Sequence, residues 1–270
     1  MPTYNRRFHK KLYPMELRKQ ALSALATSDV AAKLAAVAAI AADVALDPDA
    51  QIDAPSGLPG RPARPNLIAA TDVPRRKIGS PEGRAALIHA LAHIEFNAIN
   101  LALDVVWRFA GMPVNFYREW MQVAREEALH LSLLQGHLKT LGFDYGDFPA
   151  HNGLWEMAEK TRNDVLARLA LVPRTLEARG LDASPPMRDK LLAVGDTAAA
   201  AIIDIILRDE IRHVAVGNFW YRHVCTERGL DPISTYATLA ARYDAPRLRG
   251  PFNREARLAA GFEQAEIDAL

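Results

Sequence analysis

The chain has 270 residues, half of them apolar and 7% aromatic, with a net charge of +1. That length can bury a sizeable core in one large domain or two small ones, and an Ala-rich, aromatic-poor composition suits helices. The near-zero charge gives no nucleic-acid footprint and no acidic tail, and the lone Cys225 excludes an internal disulfide and any cysteine-based metal or redox motif.

The opening MPTYNRRFHKKLYP is basic but lacks the apolar stretch of a secretory signal. Met15–Leu25 and Val30–Leu46 read as two helices, the second capped by Ser28 or Asp29. With Lys33 and Asp43 in it, the second is too short and polar to span a membrane, so a cytoplasmic protein is expected. From Asp47 to Pro81 the prolines are too frequent for a regular helix. Leu58, Leu67, Ile68 and Val73 predict an ordered arm laid across the core, while Arg75, Arg76 and Lys77 read as a solvated charge run rather than an anion site. Residues 1–80 are thus expected to form N-terminal helices and an arm packed on a bundle at 81–229, with an extension at 230–270.

Ser80-Pro81-Glu82-Gly83 starts a long helix that stops at Gly111-Met112-Pro113. Its apolar stripe (Ile88, Leu91, Ala92, Ile99, Ala102, Val106) carries one acid, Glu95; His89 and His93 read as ordinary helix histidines. A second helix, from about Asn115 to Leu141, contains REEALH, which sets Glu127 and His130 side by side on a stripe with Trp120, Val123, Ala124, Leu131, Leu134 and Leu138. A third helix, from near Gly153 to about Arg179, is expected to kink at Pro173 and to be interrupted at Gly180, Pro185 and Pro186 before a short resumption, MRDKLLAV. After a turn at Gly195-Asp196, a fourth helix reaches about Arg228 and carries RDEIRH, 83 residues after REEALH, so Glu210 and His213 repeat the Glu-x-x-His pair. From Gly229 the tail reads as irregular and then helical.

Acids and imidazoles on core-facing stripes need partners, because an unpaired buried charge is costly. One Glu from each of two helices plus Glu-x-x-His from each of two others is the ligand set of a di-iron or di-manganese carboxylate bundle. Hard cations held close together require several anionic oxygens. Counted from a turn at Met112, Glu95 lies 17 residues before and Glu127 15 after; counted from Gly195, Glu177 lies 18 before and Glu210 15 after. At about 1.5 Å per residue each pair stands level on antiparallel helices, which favours Glu177 as the fourth carboxylate. A turn at Asp182–Pro186 would bring Glu156 or Glu159 level instead. Glu126 and Asp209 could orient the ligand histidines across the bundle, or pair with Arg125 and Arg208 at the surface.

HALAHIEFNAINLALD, REEALHLSLL, LEARGLD, RDEIRHVAVG and GPFNREARLAAGF together resemble a bacterial ferritin-like family of unknown function, over nearly the whole chain. The resemblance implies an all-α, ferritin-like four-helix bundle with a di-iron centre ligated by Glu95, Glu127, His130, Glu177, Glu210 and His213. More distantly the chain is similar to the di-iron tRNA hydroxylases. The expectation is an oxygen-activating oxidase or hydroxylase with two iron ions (manganese being possible), a small-molecule substrate and an unidentified electron donor. A ferroxidase and a non-catalytic metal-stabilised bundle are the alternatives. No membrane and no nucleic acid are expected, although tRNA stays open through Arg61, Arg64, Arg75, Arg76 and Lys77, and a homodimer is a possible assembly. Trp107, Tyr117, Trp220 and Tyr221 read as core rather than as a pocket lining.

Overall fold

In a computed structural model that describes residues 15–74 and 76–269, the chain is an all-α helical bundle. The opening fourteen residues and Arg75 lie outside the described residues. Helices α1 (Leu17–Ala26) and α2 (Val30–Ala39) precede the arm, and α3 (Pro81–Arg108) and α4 (Val114–Thr140) form the first long hairpin. Next come α5 (Gly153–Lys160), α6 (Val165–Leu171), a π-helical segment (Val172–Glu177) and α7 (Ala178–Ala193). The second hairpin is closed by α8 (Thr197–Glu227), and α9 (Pro232–Arg242), α10 (Arg254–Ala259) and α11 (Gln264–Asp268) make the extension.

Local chemistry explains the hairpins. Ser80 Oγ accepts from Gly83 N–H at 3.0 Å with Pro81 in the first turn, so α3 starts where an orphan donor is satisfied. Asp29 and Asp196 cap α2 and α8 in the same way. Gly195, at φ +79°, makes the left-handed turn between α7 and α8 that a β-carbon would oppose. Helix α3 is long and apolar enough to cross a membrane, but most of its apolar stretch is buried inside the bundle.

Four elements depart from the sequence reading. Helix α2 ends at Ala39 rather than Leu46, because the carbonyls beyond it accept from side chains of α4: Arg125 takes Ile40 O, and Arg118 takes Ala42 O and Val44 O. The third helix is broken at residues 161–164 and widened to a π-helix at Pro173, instead of running on with a simple kink. Helix α7, conversely, runs straight through Pro185 and Pro186. Pro185 has no N–H for the Leu181 carbonyl, and that carbonyl accepts from Asn253 Nδ2 at 3.2 Å instead. The tail is also helical sooner than expected, with Asp231 capping α9.

The arm is fixed at both ends. Arg18, fully buried, donates to Pro48 O, Ala50 O and Trp107 O at 2.8–2.9 Å, and residues 66–68 pair with Ala150 through a parallel bridge. Buried Lys33 gives its three protons to Ala24 O, Leu25 O and Asn100 Oδ1 at 2.8–3.0 Å, joining α1 and α2 to α3. The extension closes the other side: Arg257 grips Asp182, and Ala256, Ala260, Phe262 and Ile267 pack on Ala178, Leu181 and Val214.

Candidate metal centre

Helical periodicity delivers the acids and imidazoles to one place. Glu127 and His130 lie one turn apart on α4, Glu210 and His213 one turn apart on α8, and Glu95 faces them from α3; all five are buried. Ligand atoms of Glu95, Glu127, His130 and Glu210 lie within 4.8 Å of one another, a group that can hold a metal ion. His130 Nδ1 is 3.2 Å from both Glu95 Oε2 and Glu127 Oε2. His213 Nδ1 is 2.9 Å from Glu127 Oε1 and 3.9 Å from Glu210 Oε1. Glu127 therefore stands between the two imidazoles.

The outer nitrogens are strapped across the bundle. His130 Nε2 on α4 lies 3.1 Å from Asp209 Oδ2 on α8, and His213 Nε2 on α8 lies 2.7 Å from Glu126 Oε2 on α4. An ionised carboxylate only accepts, so each Nε2 carries a proton and each Nδ1 is left for the interior. Both acids stay ionised against the cost of burial: His213, Gln122 and Arg212 hold Glu126 down to about 2, and Arg208 with His130 keeps Asp209 below the usual aspartate range. Glu126 thus pairs with Arg212 rather than Arg125, whose guanidinium is engaged by Ile40 O. Removing an orienting group of this kind costs 10–100-fold in metal affinity. Glu126→Gln and Asp209→Asn are each expected to show that loss in a chelator competition, with helix content unchanged.

The interior charges require cations or protons. Burial, together with the charge of Glu127, lifts the Glu95 carboxyl well above the glutamate range, and burial with Glu127 does the same in kind to Glu210. Burial opposes charge on His130, yet Glu127 and Glu95 push it up to about 11; Glu127 and Glu126 likewise raise His213. Glu127 is held low, against burial, by His213 and His130. Two divalent cations would balance four carboxylates with both imidazoles neutral. The donor set fits them: Glu210 Oε2 is buried without a hydrogen-bond partner among the described residues, and Glu127 Oε1 and His213 Nδ1, 2.9 Å apart, face each other without the geometry of a good hydrogen bond.

Glu177 stands apart from the tight group. It is the last residue of the π segment, half-buried, on the wall of a cavity of about 730 Å³ whose floor includes Glu95 and Glu210. Burial of its carboxyl, with the charges of Glu210 and Glu127, raises it well above the ordinary glutamate range. Glu156 is exposed, and Glu159 is paired with Arg162 at 3.6 Å, so neither joins the cluster.

Sequence reading missed what holds the π segment. Arg174 lies over the faces of Tyr221, Tyr236 and Phe262 at 4.7–5.4 Å and donates to Asn218 Oδ1 and to Glu266 Oε1 of α11. Pro173 seats against Gly217, where a β-carbon would come within 2.6 Å of its ring. The signal is Pro173 inside a helical run, four residues before Glu177. His89 accepts from Gly146 N–H, and His93 bonds Tyr145 Oη and His151 O; burial lowers both to about 4, as neutral helix histidines. Trp107, Tyr117, Trp220 and Tyr221 are buried in the core and do not line the cavity.

No solved structure matches the chain. A protein of Haemophilus influenzae, described as uncharacterized, is 51% identical over 214 residues, covering 77% of this chain and 74% of that one. Over residues 26–268 the chain matches the family described as "protein of unknown function (DUF455)", and it belongs to that family.

Proposed function

We propose that the chain is a di-iron carboxylate oxidoreductase of ferritin-like architecture, distantly related to the di-iron tRNA hydroxylases, that uses dioxygen to oxidise or hydroxylate a small molecule in the cytoplasm. The observation that carries this reading is the paired arrangement of Glu127–His130 and Glu210–His213, each imidazole strapped by a carboxylate from the opposite helix. Glu95, Glu127, His130, Glu210 and His213 would hold the ions, with Glu177 completing the set from the cavity side. Bound iron would supply the electrons and the open coordination positions that dioxygen chemistry needs. Manganese would suit the same oxygen-rich donors.

The chain's own residues divide the remaining work. Asp209 and Glu126 keep the Nε2 protons in place and aim both Nδ1 atoms inward. The packed stripes of α3, α4 and α8 exclude water from Glu127 and the two histidines, while Glu95, Glu177 and Glu210 border the cavity, so a substrate would approach from that side. That cavity favours an oxidase over an iron-storage subunit, and its size, within the usual small-ligand range of roughly 300–1,000 Å³, favours a small molecule over tRNA.

Anaerobic reconstitution with ferrous iron, followed by metal analysis and optical spectroscopy on adding oxygen, tests the reading. Two irons per chain and an oxygen-dependent absorption change are expected. Zero or one iron would move the weight to a structural bundle.

A further inference from the structure

The cavity has a composition of its own. It lies between α3, α5, the π segment, α7, α8 and the loop after α9. Leu91, Met157, Leu176, Met187, Ile203 and Ile206 give it apolar walls above the carboxylate floor. Lys160, Arg179 and Arg247 also line it; all three are exposed, and none has a salt-bridge or side-chain hydrogen-bond partner among the described residues. Two acids, Glu156 and Asp244, border it as well, and the charge of Glu156 also acts on Arg61. The molecule elsewhere pairs its arginines closely, as with Arg168, Arg174, Arg222 and Arg257. Lys139, Lys190 and Arg249 also lack such a partner among the described residues, but Lys160, Arg179 and Arg247 are set apart by lining one apolar cavity together.

A second observation comes from α7. Gly180, Ala183 and Ser184 make its cavity-facing side small. Glycine is disfavoured inside a helix, so it calls for a reason. Gly217 has one in Pro173, whereas a β-carbon on Gly180 would meet nothing within 4 Å, and Gly180 has no positive φ. Gly136 in α4 is equally unhindered, but Gly180 lines the cavity, so its missing side chain leaves space there.

We infer that the cavity binds an organic acid with an apolar body: the acid group is held at the mouth by Arg179, Arg247 and Lys160, and the apolar body lies along Gly180 and the aliphatic walls towards Glu95, Glu177 and Glu210. Arginine suits a carboxylate because its planar fork can donate two parallel hydrogen bonds. Binding itself is independent of the di-iron reading. The further consequence, that oxidation falls on the apolar part, remote from the acid group, rests on that reading.

The test uses decanoate, decan-1-ol and decylamine as probes of one length and three head groups, by equilibrium dialysis against the full chain with its iron content measured in parallel. Decanoate is expected to bind one per chain, at least tenfold tighter than decylamine. In the double variant Arg179→Ala/Arg247→Ala that preference should fall about tenfold or more, with decanol binding and iron content unchanged. Gly180→Phe should weaken all three probes together, with a melting temperature no lower than that of the parent chain. Equal affinity for acid and amine, or decanoate binding indifferent to Gly180→Phe, would overturn the inference. Iron below two per chain with decanoate still selected would remove the di-iron reading and leave the acid site standing.

Discussion

Glu127→Ala is expected to bind fewer than two metal ions per chain at any concentration that saturates the parent. Glu127 is 1% exposed, and its two oxygens face different histidines: Oε2 lies 3.2 Å from His130 Nδ1 and Oε1 2.9 Å from His213 Nδ1. Removing this side chain therefore takes an anionic oxygen from both halves of the cluster at once, and no other acid is placed to replace it between the imidazoles. Glu210→Ala removes oxygen from the α8 half and should also fail to hold two. Glu156→Ala is the control, since that side chain is exposed and outside the cluster, and it should keep the full count. Elemental analysis after gel filtration reads all three. Full stoichiometry in Glu127→Ala would mean that the ligand assignment is wrong.

The largest expected loss of stability lies elsewhere on α3. Asp104 and Arg168 are both fully buried and paired, joining α3 to α6. Asp104 also accepts from Arg108 Nε at 3.0 Å and from Trp107 Nε1 at 3.2 Å, and Arg168 donates to Thr161 Oγ1 and Ala158 O at the break between α5 and α6. Burial disfavours the Asp104 charge, but Arg168 and Arg108 outweigh it and keep the carboxyl below the aspartate range. Asp104→Ala would leave a buried guanidinium without its counter-charge, a change that typically costs about 3–5 kcal/mol. Denaturant unfolding should show it as a lower midpoint with little change in slope. Asp104→Asn, which keeps the shape and one acceptor oxygen, should cost less. An Asp104→Ala midpoint equal to the parent's would show that Arg168 finds another partner.

The parts of the fold legible in the sequence were those set by short-range rules. Ser80, Asp29 and Gly195 mark ends of helices through their own side chains or the lack of one, and the period of 3.6 puts Glu95, Glu127, His130, Glu210 and His213 on buried stripes. The duplicated Glu-x-x-His was informative because each copy falls on such a stripe. Where the reading failed, the deciding partner was far away in the chain. Residues 40–44 lose their helix to Arg118 and Arg125, more than seventy positions downstream. Pro185 and Pro186 are tolerated because Asn253 serves the Leu181 carbonyl. The π segment depends on Gly217, Asn218 and Glu266, none of which a local window around Pro173 contains. The interrupted third helix beside Glu177 points to a pocket there, but the lining of the cavity was not legible for the same reason: its wall draws on six elements, including a loop from the extension.

The two crossed straps have a mechanical consequence. One tie runs from His130 on α4 to Asp209 on α8, and the other from His213 on α8 to Glu126 on α4, so the helices are laced in opposite directions. Because α4 and α8 run antiparallel here, Glu126 stands level with His213 and His130 level with Asp209, so a slip of one helix past the other along its axis would stretch both ties at once. A full turn of slip, about 5.4 Å, is far beyond hydrogen-bond reach. The register of the motif helices is thus pinned by the same atoms that orient the imidazoles. An arriving cation would meet donors already at the correct height and would not need to wait for the bundle to repack.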